Sequence, residues 1–513
     1  MTPTVTSWWP LIAVALPLLA ASTAFGWSAE PGRRRPLFLV ALAAATLAVT
    51  IALVPGVLQG RTIEVSMLRL TTQLWLQLRV DAAGAAYAVT IAGLSLLAVV
   101  FSLGYLSGGP RLGRYYGVLM ACVACTIGVA YAGNLLTFLV FYELLSILTY
   151  VLVVHEQTPS ALAAGAKYIA YILVGGSLLL AGILLTYFLA NDLAFASGGL
   201  LPPDAPPALL LAAFWCLVAG FGVKAALVPL HGWVPVAHPA APAPFSAVLS
   251  GVMVAAGGFG IIRVLFEVFG VETLARLGVA PWVSLIAAVT VGVGGVLALF
   301  QDDLKRRLAY STISQMGYVT LALSLLGPTA TVGALVHLTH HAFLKGALFF
   351  CAGAFAHGVG RRSVSSLGGV AARMPLIAAA FTLASFGMIG VPPLSGFMSK
   401  WWLGIGMLEA DAPWALLVLL AGALVSAGYL LPVVFALYFG EDGAEAGGVP
   451  PAGTEPHGQA PAANRGDHAI PATMLAPTLI AALLTIVLGL LAGLPGLPVS
   501  LARQAATTFF GGS

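Results

Sequence analysis

Glu143, Lys224, Lys345 and Lys400 each stand alone in a long apolar stretch, in a chain with only 8% charged residues. At the centre of a bilayer one such charge costs about 2.5–3.5 kcal/mol on insertion scales. A single case is explained by one local partner; four spread along the chain point to a pathway for protons or another small cation. Glu143 has no acid or base on the adjacent turns of its own helix, so its expected partner is Lys224. In such a pair, neutralising one member by proton transfer releases the charge of the other. The plainer reading, a purely structural buried salt bridge, contributes little net stability. Lys224 offers a compact ammonium on a flexible stem, suited to a proton-carrying base. His231 follows it by seven residues, two turns along the same side of a continuous helix. His238 comes next, beyond Trp233 and Pro235.

His337, His341 and Lys345 are spaced i, i+4 and i+8, one stripe of a helix, with His340 at i+3 from the first. Imidazoles titrate near neutrality and pass a proton through either nitrogen. Structural hydrogen bonding is the second reading of this stripe. Zinc is the third, because the residues between His337 and His341 supply no additional ligand of the H-E-x-x-H kind. Lys400 would stand near one end of the polar chain, where a proton leaves.

The elements that must position these groups are membrane spans. The 513 residues are 60% hydrophobic with mean hydropathy +1.00, more apolar sequence than a soluble core absorbs. At about 20 apolar residues per span, the sequence predicts an all-α polytopic membrane protein of about fourteen helices. Their approximate ranges are 9–27, 37–57, 85–106, 115–131, 134–154, 161–190, 208–229, 244–268, 281–300, 307–326, 331–357, 376–408, 413–439 and 471–495. The long runs exclude a β-barrel, which alternates in short segments. The first span lacks a basic leader and is followed by Arg33–Arg35, so it reads as a retained helix. Alternating from there puts thirteen basic residues in inner loops, among them Arg111, Arg114, Lys305 and Arg362, against five outside. That asymmetry predicts both termini outside the cytoplasm, and the +4 charge needs no nucleic-acid partner.

Two spans are interrupted close to a lysine. One runs Lys224 to Pro229 and His231; the other runs Gly390, Pro392, Pro393, Gly396, Lys400. Proline frees backbone carbonyls that lipid cannot satisfy, so these breaks must face protein or a hydrated cavity. Each proline taken singly reads equally as a kink; the pairing points to inverted repeats. The expected organisation is 1–110 for helices 1–3, 111–270 for a first repeat of helices 4–8 and 281–440 for a second repeat of helices 9–13. A flexible cytoplasmic loop over 441–470 and a last helix within 471–513 complete it. Cys122 and Cys125 form a CxxC inside an apolar span without other ligands, and read as buried thiols. Arg263 and Glu267 read as an interfacial ion pair, and Asp302, Asp303, Lys305, Arg306 and Arg307 as capping and topology residues. Trp8-Trp9 and Trp401-Trp402 read as interfacial anchors.

Several strings occur together in order: Phe141-Tyr-Glu143-Leu-Leu-Ser, Leu230-His231-Gly-Trp-Val-Pro235, Ala243-Pro-Phe-Ser-Ala-Val-Leu-Ser250, Ser311-Thr-Ile-Ser-Gln315-Met-Gly, His340-His341-Ala-Phe-Leu-Lys345 and Gly390-Val-Pro-Pro-Leu-Ser-Gly396-Phe. Over about residues 80–440 the chain resembles the antiporter-like family. That family comprises proton-pumping membrane subunits of complex I, of membrane-bound hydrogenases and of Mrp cation/proton antiporters. The resemblance implies fourteen helices with two inverted five-helix repeats around a hydrated polar axis. It maps the family's proton-relay positions onto Glu143, Lys224, His337, His341, Lys345 and Lys400, to which the spacing adds His231. Lys400 in Leu-Ser-Gly-Phe-Met-Ser-Lys-Trp-Trp looks more like the Mrp D-type proteins, since a complex I subunit type of similar length has Glu there. Val236 and Ala255 depart from relatives that carry Asp and Lys at these positions, and the second departure leaves a gap between Lys224 and Lys345. The expected function is a proton-translocating subunit of a multisubunit monovalent cation/proton antiporter in the inner (plasma) membrane, working with other membrane subunits, lipid and a cation such as sodium or potassium. The alternatives are a redox-driven proton pump of the complex I or hydrogenase kind and a non-conducting scaffold. No cofactor or metal motif lies in the sequence.

Overall fold

The computed structural model describes residues 3–26, 34–71, 74–202, 204–441 and 469–511. Most of the expected loop (442–468), Arg33 and Arg465 lie outside the described residues. In chain order the helices are α1 (Trp9–Phe25), α2 (Arg34–Leu58), α3 (Ala82–Tyr105), α4 (Leu112–Ala130), α5 (Leu135–Val153), α6 (Pro159–Ala190) and α7 (Pro207–Lys224). Then come α8 (Val234–Ala240), α9 (Ala243–Val248), α10 (Ala255–Arg263), α11 (Val271–Leu277), α12 (Ala280–Leu299), α13 (Leu304–Ser324) and α14 (Pro328–Gly358). The chain ends with α15 (Val370–Arg373), α16 (Pro375–Ile389), α17 (Ser395–Glu409), α18 (Pro413–Phe439), α19 (Ala472–Leu490) and α20 (Pro498–Phe510).

Each expected span falls on a helix or on a broken pair of helices. Among the described residues ten helical stretches are long and apolar enough to cross a membrane. α1 and α16 are apolar but shorter. α13 and α14 are 21 and 31 residues long and carry Ser, Thr, Gln and His, yet both are almost wholly buried. They are central helices that other helices screen from lipid. Among the described residues four helix starts carry a side-chain cap. Asp81 accepts from Gly84 N (2.8 Å), Asn134 from Thr137 N (2.7 Å), Thr158 from Ala161 N (3.2 Å) and Asp303 from Arg306 N (2.7 Å).

The two interruptions are real breaks. α7 ends at Lys224, Ala226 turns left-handed at φ 58°, and helix resumes only at Val234. α16 ends at Ile389 before Gly390 at φ 104°, a conformation that favours glycine, and α17 begins at Ser395. Protein groups satisfy the freed carbonyls. Trp233 Nε1 donates to Val223 O (2.7 Å), and Lys400 Nζ donates to Met388 O and Ile389 O (2.8 Å each).

Between α7 and α14 runs the stretch Ala243–Phe269, entirely buried and twice widened into π-helical turns, at Leu249–Met253 and Val264–Phe269. It packs by its glycines. A Cβ at Gly257 would lie 2.4 Å from Ala225 N, one at Gly260 2.4 Å from the Phe221 ring, and one at Gly251 3.0 Å from Ala342 O of α14.

The sequence reading did not anticipate a small sheet, β1 (Thr4–Thr6), β2 (Thr62–Arg69) and β3 (Trp75–Val80). β1 pairs parallel and β3 antiparallel with β2. Nor did it anticipate α20, which is anchored by Phe509 stacked on Phe266 (5.3 Å) and by Gln504 Nε2 donating to Val57 O (2.5 Å). Because β1 lies on β2 and α20 on the end of α2 that precedes β2, the first and last described elements sit at one end of the molecule.

A buried row of lysines and histidines

Lys224, at the last turn of α7, is fully buried. Its Nζ donates to Ser146 Oγ of α5 (2.9 Å) and lies 5.3 Å from the Tyr142 ring. The expected Glu143–Lys224 ion pair is absent among the described residues: the lysine reaches Ser146, one turn along α5 from Glu143. The half-buried Glu143 carboxylate instead lies against α6, where a Cβ at Gly176 would stand 2.8 Å from both its oxygens. Glu143 Oε1 finds no partner among the described residues. The expectation that His231 continues the Lys224 face also fails, because the helix ends at Lys224 and the turn at Ala226 redirects the chain. His231 is half-buried, outside that helix.

The stripe on α14 is present. His337, His341 and Lys345 lie on one unbroken helix, and all three are buried. His337 is held on both sides, Nδ1 with Ser399 Oγ of α17 (2.9 Å) and Nε2 with Gln315 Oε1 of α13 (3.1 Å). The His341 ring centroid is 6.1 Å from that of His337, and neither of its nitrogens has a partner among the described residues. His340, off the stripe, shares a 2.6 Å contact through Nδ1 with Ser395 O at the start of α17. Lys345 Nζ donates to Leu308 O (2.9 Å) and to Ser311 Oγ (2.7 Å), and Ser311 Oγ also accepts from Tyr429 OH of α18 (2.8 Å). Lys400 points back into the second break, 5.5 Å from the Tyr318 ring. The side chain beside it, Ser399, is the one that holds His337.

Hydroxyl and amide partners are what the sequence reading missed. Ser311, Gln315 and Tyr318 occur at i, i+4 and i+7 of α13, one face turned to α14 and α17. That spacing was visible in the sequence, but nothing there said which helix it would meet. Lys305 does more than mark topology, since its Nζ donates to Pro239 O (3.0 Å) and Ala241 O at the end of α8.

Arg263 and Glu267 pair as expected, and both side chains are buried by protein. Arg263 Nη1 also donates to Asp81 Oδ2 (2.6 Å), and Arg79 Nη2 reaches Asp81 (3.3 Å) and Glu267. Two arginines and two carboxylates thus close a neutral ring where β3 meets the π turn after α10. Burial opposes ionisation of Asp81, but Arg263 and Arg79 outweigh it and hold the carboxyl down at about 2. No three His, Cys, Asp or Glu side chains converge as a metal-binding group among the described residues.

Comparison with known proteins agrees with this architecture. The profile of the family described as "NADH:quinone oxidoreductase/Mrp antiporter, TM" matches residues 132–439. NADH-quinone oxidoreductase subunit N of Desulforudis audaxviator is 35% identical over 427 residues, 81% of this chain and 82% of that protein. Hydrogenase-4 component B of Escherichia coli is 34% identical over 68% of this chain, which spans about half (53%) of that longer protein. Among solved structures, a chain of the Mrp complex from Dietzia sp. superposes with TM-score 0.85 at 24% identity, covering 98% of this chain and 97% of that one. A chain of respiratory complex I from Thermus thermophilus gives 0.81 at 21%, covering 98% and 100%. These structural likenesses are likenesses of fold.

Proposed function

Because the chain belongs to the NADH:quinone oxidoreductase/Mrp antiporter transmembrane family, we propose that it is a proton-translocating, Mrp D-like subunit of a multisubunit monovalent cation/proton antiporter. The observation that carries this reading is the buried row Lys224, Lys345, His341, His337, Lys400, in which every ammonium is held by a hydroxyl or a backbone carbonyl and none by a carboxylate. An ammonium held by neutral groups can give up its proton without leaving a counter-charge stranded, which a tight ion pair cannot. Lys224 receives the proton at the first break. Lys345, His341 and His337 carry it along α14, and Lys400 releases it through the second. Glu143, half-exposed between α5 and α6, biases Lys224 from a distance, and His231 lies beside the first break as an accessory group. The ranges 111–270 and 281–440 act as the two inverted repeats, in the inner membrane with both termini outside. Other membrane subunits are the partners, and sodium or potassium is the counter-transported ion.

A second reading, the proton-pumping arm of a redox-driven complex, is favoured by the names of the relatives, subunit N of an NADH-quinone oxidoreductase and a hydrogenase component. One experiment tests both. The chain is expressed with its neighbouring subunits, and proton flux into inverted vesicles is followed with a pH dye. Cation-dependent flux without an electron donor, lost in Lys224→Ala, establishes the antiporter. Flux that appears only with a redox donor establishes the pump, and no flux under either condition removes both.

A further inference from the structure

Between Lys224 on α7 and Lys345 on α14 lies the stretch Ala243–Phe269, which packs on α7 through Gly257 and Gly260 and on α14 through Gly251. Four polar side chains lie on that stretch. Ser246 is turned to the backbone at one end, its Oγ donating to His238 O (2.8 Å). Arg263 and Glu267 are closed into the charged ring at the other. Only Ser250 remains in the middle, fully buried within the π turn Leu249–Met253, a local geometry often found at functional sites. Its Oγ lies 2.6 Å from Thr312 Oγ1 of α13, also fully buried. Thr312 Oγ1 donates to Leu308 O (3.0 Å), the same carbonyl that Lys345 Nζ holds at 2.9 Å. With its single proton so committed, Thr312 accepts from Ser250.

We propose that the Ser250–Thr312 hydroxyl pair is the proton link between the Lys224 half and the Lys345 half of the row, a deepening that rests on the proton-translocating reading above. A proton reaching the Ser250 oxygen displaces that hydroxyl's own proton to Thr312. Thr312 then gives up its proton to Lys345 in its neutral amine form, with which it shares Leu308 O, and Lys345 becomes the ammonium. Both hydroxyls are left neutral, one proton having entered and one having left.

The test uses the whole complex in proteoliposomes, with assembly checked by co-elution of the subunits. Ser250→Ala and Thr312→Val are each expected to lower flux about tenfold, roughly the effect of one hydrogen bond lost from the barrier. The double variant falls no further, since either change already breaks the link. Thr312→Ser, which keeps the hydroxyl and drops the methyl, recovers most of the flux lost in Thr312→Val. Wild-type flux in Thr312→Val, or equal losses in Thr312→Ser and Thr312→Val, overturns the proposal. Thr312→Val is nearly isosteric, so failure to assemble in that variant assigns the hydroxyl to packing and overturns it too. If Ser250→Ala alone fails to assemble, the two Thr312 variants decide. Absence of flux in the unmodified complex, by contrast, removes the functional reading itself.

Discussion

At the scale of residues, the three lysines of the row share one device, and the acid Glu143 outside it does not. Lys224, Lys345 and Lys400 each rest on neutral oxygens, whereas Glu143 rests on the bare backbone of Gly176. Replacing the acid or a base therefore has different consequences. Glu143→Ala removes a charge without breaking a hydrogen bond to Lys224, so the protein assembles and coupled flux collapses through the loss of bias alone. Lys400→Ala vacates Met388 O and Ile389 O in the second break, and flux stops at the exit while proton binding at Lys224 persists. Dye-based flux together with proton uptake by the assembled complex separates the two, and full activity in Lys400→Ala would remove that residue from the path. The lone charges and the α14 stripe were legible in the sequence because a charge in an apolar helix is conspicuous at any distance from its partner. Ser146, Ser311 and Ser399 were not. A buried helical serine most often bonds its own preceding turn, as Ser426 does with Gly422 O (2.9 Å), so its type alone does not announce a long-range role.

At the scale of elements, interruption organises the site. A continuous α7 would have put His231 two turns above Lys224 on one face, which is what spacing alone implies. The left-handed residue Ala226 cancels that geometry, and it is the local conformation that sequence periodicity cannot see. The charged ring was hidden for a related reason. Arg79 and Glu267 are 188 residues apart, and their meeting depends on how β3 lies over the end of α10. The period-2 alternation of residues 62–69 was present in the sequence, its burial alternating at Thr62–Val65, but a short amphipathic strand carries little weight among long apolar helices. Close helix packing rests on glycines that face backbone. Gly257→Val would drive a side chain into the backbone of Ala225 beside Lys224, at a cost of about 1–3 kcal/mol for overpacking. A lower midpoint in thermal unfolding of the detergent-solubilised complex checks this, with Gly292→Val, a position open to its surroundings, as the control.

At the scale of the whole molecule, the end bearing the sheet and α20 is tied together by Arg79, Asp81, Arg263 and Glu267. Asp81 is depressed in the fold, so its contribution to stability is fully present above its ordinary value near 4. That contribution is lost as the pH falls toward about 2. Acid unfolding of this end is accordingly expected to begin below about pH 4 and to flatten in Asp81→Asn, followed by proteolysis of the β2–β3 connection. An unchanged acid profile in that variant would show that the ring does not govern this end.

The stretch Ala243–Phe269 has one further consequence. Like α13 and α14 it has no lipid-facing side, whereas α6 and α18 present Leu184, Phe188 and Leu424 to their surroundings. Bilayer thickness and acyl-chain composition therefore act first on the outer helices. They reach the central stretch only as a shift in the helices that clasp it, so the proposed proton path runs through a part of the molecule that lipid does not touch directly.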